Sequence, residues 1–231
     1  MEMSNGKQGG VFSMAADGTL EITWYGQAMI KVSGQGKTVV IDPVPPHVGY
    51  HYDPVAADVV LVTHEHFDHN YTDGVTGNPK IITTGGSFEA AGLNIKGIDS
   101  FHDPVKGTER GPNVIYTWEQ AGFKVAHFGD LGHELEPEMM REVEGLDIAM
   151  IPVGGVFTID GPQAARLALA LAPSVVIPIH YLTPAIEIPL RPLEEFTQSF
   201  TGAVREIGDR PVVVSRDSLP AATEVWVMPY Q

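Results

Sequence analysis

The chain contains no cysteine among its 231 residues. This excludes a disulfide framework and every thiolate metal site, so a bound metal has to be held by imidazole and carboxylate. Basic residues are scarce: 14 Lys and Arg stand against 29 Asp and Glu, a formal charge of −15. No Lys/Arg cluster occurs along the chain. Nucleic acid and anionic membrane are therefore poor partners, and a soluble cytoplasmic protein acting on a small molecule is expected. No apolar run reaches the roughly 18–20 residues that a membrane span needs. The opening segment MEMSNGKQGGVFSMAADG (1–18) lacks the continuous apolar stretch of a secretory signal and reads as a flexible leader. Nothing in the sequence specifies an oligomeric state.

What is present suits one globular domain over 19–231, with 43% hydrophobic residues. LEITWYGQAMIKV (20–32) and KTVVIDP (37–43) read as strands joined by the Gly-rich turn SGQG. The GKT in that turn is no phosphate loop, because the spacing requires Gly at position 31, which is Lys. ADVVLVTH (57–64) is a β-branched run of the kind buried on both faces of a sheet. Further strands are predicted over 79–84, 92–103, 113–120, 123–130, 146–154 and 174–181, with PVVVSR and TEVWVMPY closing the chain. Helices are predicted over 137–145, 161–173 and 190–202; the second has Asp160 as its cap, Pro162 in its first turn and Pro173 as its stop. Strands alternating with helices, without an internal boundary, indicate a single α/β domain.

Nine histidines occur in the chain, and VTHEHFDHNY (62–71) places three of them within six positions. Other candidates follow the ends of separate apolar runs: His102 after 92–101, Asp130 after 123–129 and His180 after 174–179. Ligands of α/β sheets bind outside the carboxyl ends of strands, where loops can be shaped without disturbing the core. A run of the form H-x-H-x-D-H after a strand, in a loop entering a helix, lets His64 and His66 face one metal. Asp68 and His69 then face a second, about 3.5–4 Å away. His102 completes the first site, His180 the second, and Asp130 is placed to bridge them. Two divalent ions are expected, Zn²⁺ first, with Mn²⁺ or Fe²⁺ suited to the same ligands.

THEHFDHN, SFHD, HFGDLGH and PIHY resemble the successive metal motifs of the metallo-β-lactamase fold superfamily. The likeness extends from about residue 20 to about residue 190 and implies a four-layer αββα sandwich. VVIDP is similar to the superfamily's first motif, which implies that Asp42 supports the metal loop from behind the ligands. WYGQAMIKV, FGDLGH and PVGGVFTIDGPQAA further resemble the small stand-alone branch related to L-ascorbate-6-phosphate lactonase. Gln27 departs from that pattern, standing where many relatives carry His. Gln27, His47 and His51 are candidate substrate contacts, and His133, three residues after Asp130, is a candidate contact to substrate or leaving group. His127 lies inside a strand and is expected to pack rather than ligate.

Together these features predict a metal-dependent hydrolase in which a metal-bridging hydroxide attacks a small, anionic ester or lactone, with Asp68 accepting a proton. Two ions against Asp68, Asp130 and the hydroxide leave the centre about +1. Phosphodiesterase action on small cyclic or lipid phosphodiesters is the rival enzymatic reading. A metal-retaining regulatory module without turnover is the rival outside catalysis. A di-iron redox centre is disfavoured, because its H-x-E-x-D pattern is not matched at His66 and no flavin domain is present.

Overall fold

The computed structural model describes residues 18–231, so the leader lies outside the described residues except for Gly18. Two sheets form the body. The first runs, in spatial order, Val212–Ser215, Thr19–Gly26, Met29–Gly34, Lys37–Ile41, Val59–Leu61 and Lys80–Ile82. The second runs Ala203–Glu206, Glu224–Val227, Val175–Ile179, Ile148–Pro152, Phe123–His127, Pro112–Gln120, Leu93–Phe101 and Gly86–Ala90.

Side-chain alternation explains why both faces of the first sheet are apolar. Val39, Ile41, Val59 and Leu61 point into the main core shared with the second sheet. Their neighbours Val40, Val60 and Val62 point the other way, into a second cluster with Tyr50, Ile186 and Leu190. That outer face is covered chiefly by the Pro-rich loops around 43–57 and 182–190. On the far side of the second sheet the helix Gly161–Leu171 packs Ala164, Ala165 and Ala168 into the main core. The fold is of the metallo-β-lactamase type, a mixed α/β sandwich with few helices.

Several boundaries differ from the sequence expectation. The run 20–32 is not one strand: Thr19–Gly26 and Met29–Gly34 pair antiparallel across a tight turn. Gln27 occupies that turn at φ +50, and Gly26 sits at φ +107, where a Cβ would lie 2.2 Å from the Tyr50 ring. Apolar alternation continues unbroken through this reversal, so it hides the turn. The metal-motif loop leads into turns and a short 3₁₀ segment, Thr72–Gly74, and not into an α-helix. The first and third helices shorten to Pro137–Glu142 and Glu194–Ser199. Pro192 leaves the segment before the third helix non-helical, and Ala203–Glu206 is an exposed edge strand with no alternation to reveal it. The helix at 161–171 begins as expected, with Asp160 and Gln163 exchanging the bonds of a capping box.

Candidate metal centre

Strand direction brings the ligands to one rim. Leu93–Phe101 and Phe123–His127 are each antiparallel to Pro112–Gln120, so they run the same way. Phe123–His127, Ile148–Pro152 and Val175–Ile179 are mutually parallel. Their carboxyl ends therefore deliver His102, Asp130 and His180 to the same edge. In the first sheet Lys37–Ile41 and Val59–Leu61 are parallel and deliver Asp42 and the loop from His64 to His69. Val114 N donates to Thr63 O at 2.9 Å and ties the two rims together.

The imidazoles converge on one carboxylate. Asp130 Oδ2 lies 3.0 Å from His102 Nε2, 3.1 Å from His180 Nε2, 3.4 Å from His69 Nε2 and 3.8 Å from His64 Nε2. Two ligand groups form around it, His64/His66/His102 and Asp68/His69/His180, each with its ligand atoms within 4.8 Å of one another. His64 Nε2, His69 Nε2 and Asp130 Oδ1 are buried without a hydrogen-bond partner. Buried polar atoms are otherwise almost always satisfied, and neutral imidazole nitrogens beside carboxylate oxygens are the donor set that divalent zinc takes. The residues fit divalent metal.

Hydrogen bonds behind the ligands aim them. Asp42 is fully buried at φ +47. Its Oδ1 accepts from Thr63 N at 2.8 Å, and its Oδ2 accepts from Thr63 Oγ1 at 2.7 Å and from His69 Nδ1 at 2.9 Å. Since a carboxylate only accepts, His69 carries its proton on Nδ1 and turns the Nε2 lone pair toward the centre. Thr63 Oγ1 has given its hydrogen to Asp42, so it accepts from His64 Nδ1 at 3.0 Å with the same result for His64. His102 Nδ1 donates to Phe157 O at 3.1 Å. Asp42 also forms a grouping with His64 and His69, but three donors already occupy its oxygens, so it supports ligands and is not one.

Charge follows this geometry. Burial favours the neutral form of Asp130, yet His180, His69 and the bond from His102 outweigh it and hold the carboxyl well below its ordinary range. Burial opposes charge on His69 as well, but Asp130 and Asp42 raise its pKa well above the usual value. His64 is pushed well down, by burial first and then by neighbouring His69. A buried anion among imidazoles of both tendencies is a site built for competition between protons and metal ions.

The remaining candidates separate from the cluster. Gln27 is fully buried behind Asp68 and donates from Nε2 to Asp68 Oδ2 at 2.8 Å, while its carbonyl accepts from His180 N at 2.9 Å. Gln27, expected among the substrate contacts, is thus placed where its side chain bonds Asp68. His133 lines a neighbouring cavity, with Nε2 accepting from Phe101 N and Nδ1 donating to Glu134 O. The ring of His47 is exposed and stacks at 5.9 Å on Phe67, and His51 is exposed in the following loop. His127 packs as expected, donating from Nε2 to Ala28 O and accepting from Gly129 N. Gly132 is needed close by, because a Cβ there would lie 2.2 Å from the carbonyl carbon of His102.

Above the cluster opens a cavity of about 350 Å³, walled by Phe67, Phe157, Ile188 and Arg110. Phe157 and Arg110 were not singled out from the sequence. A lone Arg in a polar loop carries no local signal. Thr63, by contrast, stands in the quoted motif directly before its first histidine.

The comparisons agree with this geometry. The family described as a β-lactamase superfamily domain matches residues 21–180. A UPF0173 metal-dependent hydrolase of Methanopyrus kandleri is 30% identical, over 84% of this chain and 96% of that protein. Another from Nitratidesulfovibrio vulgaris is 32% identical, over 72% of this chain and 82% of its own. Among solved structures, a Thermotoga maritima candidate Zn-dependent hydrolase of the metallo-β-lactamase superfamily is 34% identical with a TM-score of 0.75. It covers 92% of this chain and 100% of that one. These relatives are named for metal dependence and not for a substrate. With ligands delivered from both sheets to one rim and relatives of this kind, the chain belongs to the β-lactamase superfamily and, within it, to the UPF0173 metal-dependent hydrolases.

Proposed function

We propose that the chain is a dinuclear metal-dependent hydrolase of a small anionic ester or lactone. The observation that carries this reading is the convergence of four imidazole nitrogens on Asp130 Oδ2 at 3.0–3.8 Å, at the floor of a cavity of about 350 Å³. His64, His66 and His102 would hold one cation, Asp68, His69 and His180 the other, with Asp130 common to both. When bound, such a pair supplies ionised water at neutral pH and a Lewis acid for the substrate oxygen.

The chain's own groups do the rest. Asp42, Thr63 and the Phe157 carbonyl keep three imidazoles in the ligating tautomer. Gln27 engages one oxygen of Asp68 and so fixes the carboxylate that would take a proton as the nucleophile forms its bond. Phe67, Phe157 and Ile188 give the cavity an apolar wall beside the reacting group. No helix among the described residues is long and apolar enough to cross a membrane, and the acidic composition supports a small substrate over a polyanion such as nucleic acid.

The test is elemental analysis of metal-replete protein, followed by turnover of a lactone and ester panel and of bis(p-nitrophenyl) phosphate under Zn²⁺ and Mn²⁺. Stoichiometric metal, and ester or lactone turnover abolished by Asp130→Ala, is the expected result. Preferential phosphodiester turnover would move the assignment to the rival enzymatic class. Absence of bound metal would overturn the reading altogether.

A further inference from the structure

The cavity over the metal ligands contains a single lysine or arginine in its wall, Arg110, in a chain with twice as many acidic as basic residues. Its position is built with unusual care for a loop residue. Asp103, buried directly after the ligand His102, accepts four backbone N–H groups from the loop that follows. Val105 and Gly107 donate to one oxygen at 2.9 and 2.8 Å, Glu109 and Arg110 to the other at 3.0 and 2.8 Å. His102 N then donates to Gly111 O at 3.1 Å and closes the loop on the ligand itself. The backbone of Arg110 is thus held in register with a metal ligand.

The side chain is set by a second contact. The guanidinium lies 5.8 Å from the centroid of the Phe157 ring, and the carbonyl of that same residue receives the His102 Nδ1 hydrogen. Phe157 therefore links the orientation of a ligand to the orientation of the arginine. The ion-pair contact of Arg110, Glu109 Oε2 at 3.6 Å, is longer than a hydrogen bond, and Glu109 is well exposed. The guanidinium fork stays available, and its planar array of donors matches a carboxylate or phosphate better than any other group.

We propose that Arg110 is the anion-recognition residue of the centre, binding a carboxylate or phosphate substituent of the substrate that is distinct from the bond being cleaved. The substrate class is thereby narrowed to esters or lactones bearing an oxyanion beside the scissile group; this narrowing rests on the hydrolase reading, while the anion subsite does not. Phe67, Phe157 and Ile188 accept the carbon skeleton between the two ends.

The test has two arms, both on the metal-loaded protein at constant ionic strength. Calorimetric titration with glutarate and with inorganic phosphate compares the wild type with Arg110→Gln and Arg110→Lys. Loss of the fork is expected to weaken binding about 10- to 100-fold, and the ranking of the two ligands tells carboxylate from phosphate. Kinetic comparison of p-nitrophenyl acetate with mono-p-nitrophenyl glutarate then reads the preference for the charged ester, which is expected to collapse toward unity in Arg110→Gln. Melting temperature and metal content measured on each variant separate loss of the arginine from loss of the site; should Arg110→Gln fail either control, Arg110→Lys decides. Anion binding equal to wild type within threefold, or no anion binding by the wild type, overturns the proposal. Arg110-dependent binding in a protein that turns over neither ester upholds the subsite and rejects the hydrolase reading instead.

Discussion

Asp42→Asn is the sharpest perturbation of the centre, because it changes hydrogen-bond polarity without changing shape. Asp42 Oδ1 faces the backbone N–H of Thr63, which can only donate, so the asparagine oxygen must remain there. The new NH₂ group then replaces Oδ2 and faces Thr63 Oγ1 and His69 Nδ1. Thr63 can rotate its hydroxyl and accept. His69 can accommodate the amide only by presenting a lone pair on Nδ1, which moves its proton to Nε2 and removes the metal-binding lone pair. Recovering the ligating tautomer strands two donors against each other in a fully buried site, at about 1–3 kcal/mol. At 1.4 kcal/mol per tenfold this is about 10- to 100-fold in metal affinity. Asp42→Ala leaves three donors without acceptors and should cost about 3 kcal/mol or more of stability, against a typical total of about 5–15. Zinc titration against a chromophoric chelator reads the affinity, and long-range ¹⁵N correlation of the metal-free imidazoles, at a pH high enough for His69 to be neutral, reads the tautomer. Native affinity in Asp42→Asn, or a proton still on His69 Nδ1, would refute this account of how the ligands are aimed.

Other perturbations test neighbouring parts of the argument. Zinc at about 1,000 times its Kd should stabilise the fold by about 4.1 kcal/mol per site, or about 8–16 °C in Tm for a chain of this size; coincident melting with and without EDTA would speak against the site. Gln27→Leu deletes the donor to Asp68, and kcat should fall about tenfold or more with KM nearly constant. An unchanged kcat would show that Asp68 needs no such support. Gly132→Ala drives a methyl group to within 2.2 Å of the His102 backbone and should cost about 1–3 kcal/mol. Calorimetry would register this as a Tm lower by about 2–12 °C, and a wild-type Tm would mean that the approach is looser than described.

The residues that the fold gathers at this rim were legible in the sequence because they obey a topological rule. Each follows the carboxyl end of an apolar run, and runs can be seen without knowing how they pair. Asp42 was legible in another way, through the resemblance of VVIDP to the superfamily's first motif. The bond from Gln27 to Asp68 was not legible, because the side chain's direction depends on a strand reversal that the continuous apolar pattern of 20–32 conceals. Once the chain turns at Gly26, Gln27 points inward and bonds Asp68. For a different reason, Arg110 was not singled out as a residue. Its place over the ligands is determined by four backbone bonds to Asp103, and a carboxylate collecting backbone N–H groups leaves no trace in residue spacing. The shortened helices and the edge strand Ala203–Glu206 show the ordinary weakness of local pattern where a surface segment buries little.

The loop from His64 to His69 comes from one sheet, while His102, Asp130 and His180 come from the other. Ions seated between them would act as rivets through the two halves of the sandwich at a single rim, in a chain that has no disulfide to do so. Metal removal would then unfasten the protein from the rim that carries the histidine cluster first, leaving the opposite rim closed. Amide exchange in metal-free protein should accordingly be fastest around Thr63 and slow along the distant halves of the same strands.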